Sequence, residues 1–416
     1  MSCIFEINDA DLTLYRDAEV VHRSPAVAVV LGDEVYFGEA ALQRSRMHPR
    51  QTHQQYFSRL SGEPLPGPAG RIRHQADLVY LHLRELKPLI DAEGGEALLA
   101  VPGNLSADQL GVLLGVMQEA GIAVAGFVDS AVAAASAGPG AGGVRYLDVQ
   151  LQRALITELE VGDEVSKTGV SELPDCGLGR LLDGWVNVVA DRFVRDTRFD
   201  PLHAAATEQQ VFDQVYRWMQ RGGQGDLLVD VLHGDQTRRV EVGRAALEEK
   251  SAQRLAPLLD ARGDASPVYL SARSARLPGL RDLFARAGIT TVTVADDAVA
   301  RGCLAHRGLI TGHGGDLRLV TRLPHRTTAA PAAAAPAAEA RPAGAAPTHA
   351  LRDAEARPLD ALAAALGLEQ DDDGFRIAPR GGVMLNGTAV NGSTRLRAGD
   401  RISLDGADYL LIHVGT

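Results

Sequence analysis

Residues 97–135 decide the fold and read ALLAVPGNLSADQLGVLLGVMQEAGIAVAGFVDSAVAAA. The stretch opens with a continuous apolar run that ends at a Pro-Gly pair, which is typical of a strand buried on both faces. Ser106 and Gln109 form a capping box and predict the start of a helix, whose apolar residues recur on one face. Residues 124–128 then predict a second strand. A strand, a helix and a strand of these lengths predict a parallel sheet.

Strands and helices also alternate on both sides of this unit. Upstream, residues 4–14 and 26–30 are predicted strands, and residues 35–37 are a third one after a Gly-Asp turn. The predicted downstream elements are helix 181–193, a helix capped by Thr207 and Gln210, hairpin 227–242, helix 244–259, strand 267–270, helix 277–287, strand 291–294 and a helix from about residue 297. This alternation predicts an α/β fold with two sheets.

The composition limits the class of protein. The chain has 416 residues, of which 45% are hydrophobic, and a net charge of −11, so it has enough apolar residues for a packed core. The acidic balance argues against nucleic-acid binding, which needs a basic surface. No run approaches the ~18 apolar residues of a membrane span, so no membrane association is expected. The first residues do not resemble a signal peptide, and three scattered cysteines fit a reducing compartment, so we expect a cytoplasmic protein.

One break in composition divides the chain. Residues 327–347 read TTAAPAAAAPAAEARPAGAAP, and such a run of alanine and proline predicts an extended spacer. We therefore expect a large body at residues 1–325, a linker at residues 326–350 and a small C-terminal unit at residues 351–416.

Segments of the body carry, in order, motifs of one family. SPAVAVV, GDEVYFGEAAL and HPRQTHQQYFSRLSG come first, residues 97–135 follow, and VYLSARSARLPGLRDLF and DDAVARGCLAH lie near the end. With these motifs, the body resembles the nucleotide-binding domain of the seventy-kilodalton heat-shock chaperones, within the actin and sugar-kinase superfamily. The resemblance covers about residues 4–310 and implies a two-lobed actin-like ATPase fold, with lobes at about residues 1–135 and 136–325.

The resemblance also implies where a nucleotide would lie. In the family, two glycine-rich hairpins wrap the phosphates of ATP, since glycine lets backbone N–H groups come close. The family's DLGTTNS matches EINDAD at residues 6–11, its DLGGGTFD matches DVQLQR at residues 148–153, and its GG.SR.P matches SARSARLP at residues 271–278. The implied nucleotide-contacting positions are Asn8, Asp9, Asp148, Gln150, Ser271, Arg273, Ser274 and Arg276.

These positions have lost the residues that the family uses for catalysis. Both hairpins lack their glycines, the acids of the first would repel a triphosphate, and Ser58 stands where the catalytic lysine is expected. We therefore expect a pseudo-ATPase without a cofactor. The alternative is an active, diverged ATPase that binds ATP and Mg²⁺, with Asp148 and Asp129 as its catalytic carboxylates. No other metal site is expected, because His48 and His53 lack a third ligand.

The chain after the body is too short for the peptide-gripping β-sandwich of these chaperones, so we expect a scaffold or regulator that binds partner proteins.

After a short amphipathic helix, LNGTAVNGSTRLRAGDRISL resembles the second half of a forkhead-associated domain, a family that binds phosphothreonine. The half with the main phosphate contacts is missing or unrecognisable. The candidate partner-binding residues are Asn386, Thr388, Asn391 and Arg395. Reading of phosphothreonine and phosphate-independent docking stay open as alternatives, and Asn-Gly pairs also simply make tight turns.

Overall fold

The chain folds as two units, Met1–Pro331 and Ala332–Thr416. Residues 326–346, most of the predicted linker, lie outside the described residues. The structure is a computed structural model that describes residues 3–65, 72–92, 94–260, 266–311, 317–325, 347–352, 355–371, 374–378, 383–385, 388–389, 393–396, 400–404 and 407–412.

Strands and helices alternate along the first unit. Its strands are β1 (Cys3–Glu6), β2 (Leu12–Arg16), β3 (Glu19–Ser24), β4 (Ala28–Leu31), β5 (Glu34–Phe37), β6 (Thr52–His53), β7 (Glu96–Val101), β8 (Ala123–Asp129), β9 (Gly142–Val149), β10 (Ala154–Val161), β11 (Glu164–Leu173), β12 (Leu227–His233), β13 (Gln236–Val242), β14 (Val268–Leu270), β15 (Thr291–Thr293), β16 (Leu319–Val320) and β17 (Arg322–Pro324). Its helices are α1 (Gly38–Ser45), α2 (Gln75–Asp91), α3 (Ala107–Glu119), α4 (Ser130–Ser136), α5 (Leu178–Thr197), α6 (Ala205–Gln220), α7 (Arg244–Leu255), α8 (Pro257–Asp260), α9 (Ala272–Ala275), α10 (Leu280–Arg286), α11 (Ala298–Ala305) and α12 (Arg307–Ile310).

Two six-stranded sheets of this unit share the order of five strands, and the sixth strand, β16 or β17, lies at opposite ends of the two sheets. Sheet 1 runs β3-β2-β1-β7-β8-β16, and sheet 2 runs β17-β11-β10-β9-β14-β15. In each, three antiparallel strands form a meander, and the first of them lies beside two parallel strands. The expected α/β fold with more than one sheet is confirmed. A smaller sheet, β5-β4-β6, and the hairpin β12-β13 complete the described strands of this unit.

Two predicted elements have different bounds in the structure, and one predicted helix start is confirmed. The predicted strand 4–14 is two antiparallel strands, β1 and β2, because polar residues favour a turn between them. The Asp11 N–H donates to the Asn8 carbonyl within that turn. The predicted helix 244–259 breaks between α7 and α8, where Pro257 has no N–H to donate. The capping box of Ser106 and Gln109 is confirmed at the start of α3.

Helices α4 and α11 contact each other in a buried cluster that includes side chains from both sheets. The contact is close because Gly302 faces the α4 backbone. A Cβ on Gly302 would lie 1.9 Å from the Ala133 carbonyl oxygen, a distance no real Cβ tolerates. Only glycine at this position permits the observed spacing of the two helices.

The end of the first unit joins both sheets. We call residues 317–325 the strap. Within it, β16 pairs in parallel with β8 of sheet 1, and β17 pairs antiparallel with β11 of sheet 2. Lys167 N–H donates to the Thr321 carbonyl, and His325 N–H donates to the Asp163 carbonyl. The strap therefore links the outer edge of each sheet through backbone hydrogen bonds.

The outer edge of β12 is covered by two glutamines of α6. Gln214 donates to the Asp230 carbonyl and accepts from the Asp230 N–H, and Gln210 makes the same two bonds with Leu232.

The prediction that Thr207 and Gln210 cap this helix is wrong. The helix begins at Ala205 without a side-chain cap, and the Thr207 hydroxyl donates to the Pro201 carbonyl.

The second unit is built mostly from strands. Its elements are β18 (His349–Arg352), β19 (Glu355–Pro358), α13 (Leu359–Leu366), β20 (Leu368–Asp371), β21 (Gly374–Ile377), β22 (Val383–Leu385), β23 (Thr388–Ala389), β24 (Thr394–Arg395), β25 (Arg401–Leu404) and β26 (Ala407–Ile412). The sheets are β19-β18-β26-β25-β22-β23 and β20-β21-β24. Phe375, Ile377, Ile402 and Leu411 are buried in its core. The first strand begins at His349, inside the segment that the sequence assigned to the linker.

Candidate functional site

The predicted site residues lie on two loops and one short helix of the first unit. The first loop, residues 6–11, includes the last residue of β1 and leads to β2, and the second loop, residues 148–153, includes the last two residues of β9 and leads to β10. Since each loop follows the first strand of its sheet, the repeated strand order gives both loops equivalent positions. Helix α9, which follows β14 beside β9, supplies the third segment.

Side chains of the first loop bond directly to the second loop. The Asn8 amide Nδ2 donates to Asp148 Oδ2 at 2.6 Å. The backbone N–H of Leu151 donates to Asp9 Oδ1, also at 2.6 Å. All four residues are buried. The first loop thus presents an amide donor and a carboxylate acceptor to the second.

Arg273 of α9 adds a positive charge between the two loops. Its Nη2 lies 2.5 Å from Glu6 Oε1, and its Nη1 lies 3.6 Å from Asp148 Oδ2. The Glu6 side chain is 4% exposed and the Arg273 side chain 13% exposed. Tyr15 also donates its hydroxyl to Glu6 Oε2. We call Glu6, Asn8, Asp9, Asp148 and Arg273 the loop cluster.

The other predicted positions support the second loop. Ser274 Oγ accepts a hydrogen bond from the Val149 N–H, and Ser271 Oγ lies 2.8 Å from Ser274 Oγ. Gln150 is buried, and its Oε1 accepts from Arg153 Nε at 3.1 Å. The two serines therefore hold the end of β9 against α9.

Arg276 stands apart from the loop cluster and lines a cavity of about 350 Å³ together with Arg23, Arg273 and Tyr216. We call it the arginine cavity. Within the described residues, each of its arginines faces a carboxylate. Arg276 lies 3.2 Å from Asp296, and Arg23 lies 3.1 Å from the same side chain. The cavity thus holds no excess of unpaired positive charge among the residues that line it in the structure.

Burial raises the pKa of the acids in the first loop. It raises the pKa of Asp9 to about 6, although the Leu151 N–H and the charge of Arg153 favour the ionised form. Burial also raises the pKa of Asp11 to about 6, against the opposing charges of Arg273 and Arg23. The pKa of Glu6 is raised by burial as well, with Arg273 acting against it. Negative charge in this loop is therefore stabilised only in part.

Asp129 lies at the end of β8, where it holds two structural contacts. Its Oδ1 accepts from the Ala131 and Val132 N–H groups and so caps α4, and its Oδ2 lies 3.2 Å from Lys167 Nζ. Lys167 Nζ also donates to the Gly103 carbonyl at 2.8 Å. A Cβ on Gly103 would lie 2.2 Å from Asp129 Oδ2, so glycine is needed for this approach.

Sequence reasoning missed three residues of this region. Glu6 lies in the quoted motif but pairs with Arg273, which follows 267 residues later. Lys167 pairs with Asp129 from a strand of the other sheet. Arg153 reaches the carbonyl of Ser58 at 3.4 Å, and so brings a cation near the position where the family has a lysine. Glu6 and Arg153 could have been found because they lie within the quoted motifs, whereas Lys167 lies in none of them.

The candidate partner-binding residues are only partly described. Asn386 and Asn391 lie outside the described residues, and Thr388 lies in β23, with its side chain outside the description. Arg395 lies in β24 and is exposed.

Among the residues that the structure describes, no cluster of three His, Cys, Asp or Glu side chains could hold a metal ion, and no helix is long and apolar enough to cross a membrane.

Comparison of the chain with models of known protein families gives no match. A search among curated proteins finds no similar sequence either. The case for a function therefore depends on the residues of the loop cluster and on their contacts.

Proposed function

We propose that the chain is a divergent heat-shock-chaperone-like protein with a two-lobed actin-like body and degenerate phosphate loops, which binds partner proteins as a scaffold or regulator and does not hydrolyse ATP. Two sheets that share the order of five strands support a two-lobed body. The resemblance of the loop motifs then places the loop cluster where the family holds phosphates.

The observation that carries this proposal is the bond from Leu151 N–H to Asp9 Oδ1. In the family that the chain resembles, backbone N–H groups of the two hairpins contact phosphate oxygens. Here a carboxylate of the protein accepts from such an N–H group. An internal anion thus takes the place of a phosphate oxygen, and this N–H group needs no ligand as its acceptor.

The charge of the loop cluster also opposes a triphosphate. Glu6 and Asp148 face one guanidinium, that of Arg273, which is already within ion-pair distance of both. Added phosphate charge would meet carboxylates at short range, where repulsion in a buried site is strong. ATP would have to displace Arg273 from Glu6 and leave that carboxylate buried without its partner.

The scaffold part of the proposal concerns the second unit. A spacer rich in alanine and proline would let a small β module reach one partner while the body binds another. We propose that turns around Asn386, Thr388, Asn391 and Arg395 contact a protein partner without a phosphate, in the cytoplasm.

A pulldown with wild type and an Asn386→Ala/Asn391→Ala variant, each with and without phosphatase, tests this. Loss of the partner on phosphatase treatment would refute phosphate-independent binding, and retention by the double variant would remove these turns from the interface.

A second candidate function is an active ATPase that uses ATP and Mg²⁺. The arginine cavity of about 350 Å³ favours it, because it adjoins Arg273 and Arg276 of the adenosine-side motif. Asp129 fits a metal ligand poorly, since its two oxygens already face two N–H groups and the Lys167 ammonium. We therefore rank this function second.

Isothermal titration calorimetry with Mg-ATP separates the two candidates. The proposed pseudo-ATPase gives no saturable heat and no phosphate release in a parallel assay. A micromolar dissociation constant that is lost in Asp148→Ala would favour the active enzyme.

A further inference from the structure

The two outer edges of the hairpin β12-β13 differ in how their backbone groups are bonded. Along β12, side chains of α6 bond the backbone N–H and C=O groups of Asp230 and Leu232. Among the residues that the structure describes, no hydrogen bond reaches the outer side of β13, which we call the free edge. Such an edge is a template to which another strand can add through backbone hydrogen bonds.

The register of the hairpin shows which backbone groups of β13 lie at the free edge. Asp230 lies opposite Arg239, and Leu232 lies opposite Thr237. Because the glutamines of α6 bond both β12 residues from outside, these two pairs are the non-hydrogen-bonded pairs of the ladder. The N–H and C=O groups of Thr237, Arg239 and, two residues further on, Glu241 therefore point away from β12.

The side chains of the same three residues lie on the exposed face of the hairpin. Val240, which alternates with them, is buried in a cluster that includes residues of α5. Arg239 Nε lies 2.6 Å from Asp230 Oδ1 on the neighbouring strand. Glu241 has no ion-pair partner within the described part of the chain. The free edge thus carries a cation and, two residues later, a carboxylate that is left unpaired there.

The charges of the free edge fit a second copy of the same strand. In an antiparallel pair of two β13 strands centred on Val240, Arg239 of each copy lies opposite Glu241 of the other. Opposite charges that face each other across two strands stabilise the pair, and like charges destabilise it. Charged residues often protect an edge strand from association. Here they oppose the register centred on Arg239, which would pair two arginines, and they favour the register centred on Val240.

We propose that the free edge of β13 pairs with the free edge of a second copy of this chain, so that two hairpins form one antiparallel sheet about a two-fold axis. On each side of the axis, Arg239 of one copy and Glu241 of the other exchange their N–H···O bonds as a hydrogen-bonded pair. The same patch serves both copies, as a two-fold interface requires. A single strand edge buries little surface, so the dimer is weak and reversible. The proposal does not depend on the function proposed above.

Sedimentation velocity of the full chain, from micromolar to millimolar concentration, tests the proposal. Wild type is expected to pass from monomer to dimer as its concentration rises. Glu241→Arg should stay monomeric, because like charges then face each other across the two strands. The same change at Glu119, an exposed glutamate at the end of α3, is the control and should dimerise like wild type. A wild type that stays monomeric throughout, or a Glu241→Arg variant that dimerises like it, would overturn the proposal.

An exchange of charges between two variants tests the register. Arg239→Glu carries two acids at the free edge and Glu241→Arg carries two arginines, so each repels its own copy and matches the other. Arg239→Glu is expected to fold, since the ion pair that it loses is 62% exposed on the arginine side and contributes little to stability. Each variant alone should be monomeric, and an equimolar mixture should form a heterodimer. A mixture that stays monomeric would overturn the proposal.

Hydrogen exchange of wild type gives a readout that needs no variant. The amides of Arg239 and Glu241 are expected to exchange fast in dilute protein and slowly in concentrated protein, where they donate to the second copy. The Val240 amide, which faces β12 in the hairpin ladder, should exchange slowly at both concentrations. Fast exchange of the two edge amides at every concentration would overturn the proposal. Slow exchange in a monomeric sample would also overturn it, because these amides would then have a partner within the chain.

Discussion

Arg273 and Arg276 show how two arginines in one short segment take different roles. The Arg273 side chain is 13% exposed and faces Glu6 and Asp148, whereas the Arg276 side chain is 41% exposed and faces Asp296. Water screens the second pair, so it contributes little to stability. Removal of the first would leave a buried carboxylate without its partner, which is costly. The loop cluster therefore depends on one cation.

We predict that Arg273→Met lowers the free energy of unfolding by roughly 3–5 kcal/mol, the range for a buried ion pair that loses one partner. The matched change Arg276→Met is expected to cost less than about 1 kcal/mol. Urea unfolding followed by circular dichroism measures both. Addition of Glu6→Gln to Arg273→Met should restore part of the loss, and equally small effects of the two single variants would contradict the role given to Arg273.

A second prediction concerns the pH dependence of Asp9. Its folded pKa of about 6 lies above the ordinary 3.8, so the native state binds a proton more tightly than the unfolded state between these values. The contribution of Asp9 to stability is therefore complete below about pH 4 and is lost as the pH rises to about 6. Asp9→Asn, which keeps an acceptor for Leu151, should raise the free energy of unfolding at pH 7 by roughly 1–3 kcal/mol and flatten this slope. Unfolding curves at pH 4 and pH 7 for both proteins check it, and parallel pH profiles would show that Asp9 ionises normally.

At the scale of elements, short segments fix the arrangement of larger ones. The strap is nine residues long, yet it adds a strand to each of the two large sheets. Two glutamines of α6 occupy the backbone groups at the open edge of β12, a position where an unpaired strand invites association with other chains. In both cases the contact satisfies backbone groups at a strand edge, which apolar patterns in the sequence do not report.

Two truncations test the strap. A chain that ends after His325 keeps the strap and should melt at the temperature of the first unit in the full protein, since the residues that follow belong to the linker. A chain that ends after Thr311 loses β16 and β17 and should melt several degrees lower, because the outer edges of both sheets lose their backbone partners. Differential scanning calorimetry compares them. Identical melting of the two truncated chains would remove the strap from the stability of the body, and a lower value for the first would show that later residues pack on it.

The two glutamines lead to a fourth prediction. Gln210→Ala/Gln214→Ala should uncover the edge of β12 and increase self-association with protein concentration, because the N–H and C=O groups of Asp230 and Leu232 would be left to other chains. Analytical ultracentrifugation over a concentration series measures this. Gln118→Ala, on an exposed face of α3, is the control, and equal behaviour of the two variants would mean that the glutamines do not protect the edge.

Sequence patterns predicted many of the elements that bury apolar side chains, but they missed the helix α2 and the strands β9 and β10, which also bury apolar residues. The strand β7 and the helix α3 were predicted because apolar runs and a capping box mark them. The two-residue β16 and three-residue β17 are too short to show a period. For the site, the motifs predicted which residues to examine, but not that Asp9 bonds Leu151, 142 residues away. Contacts of that kind depend on the packing of two sheets, which no local pattern encodes.

At the scale of the whole molecule, the chain combines a body with two related sheets and a separate β-rich unit. The body brings two loops of opposite sheets together through side chains of its own. We propose that the loop cluster connects the two loops, as a bound nucleotide does in the ATPases that the body resembles. The body would then hold one arrangement of its two sheets whether ATP is present or not.

The most direct test of this claim is the hydrogen exchange of the Leu151 amide, measured with and without saturating Mg-ATP. We expect slow exchange without nucleotide, because the N–H donates to the buried Asp9 carboxylate, and the same rate when Mg-ATP is added. Fast exchange without nucleotide that becomes slow with Mg-ATP would contradict the account, since a phosphate would then be the acceptor that the loop requires.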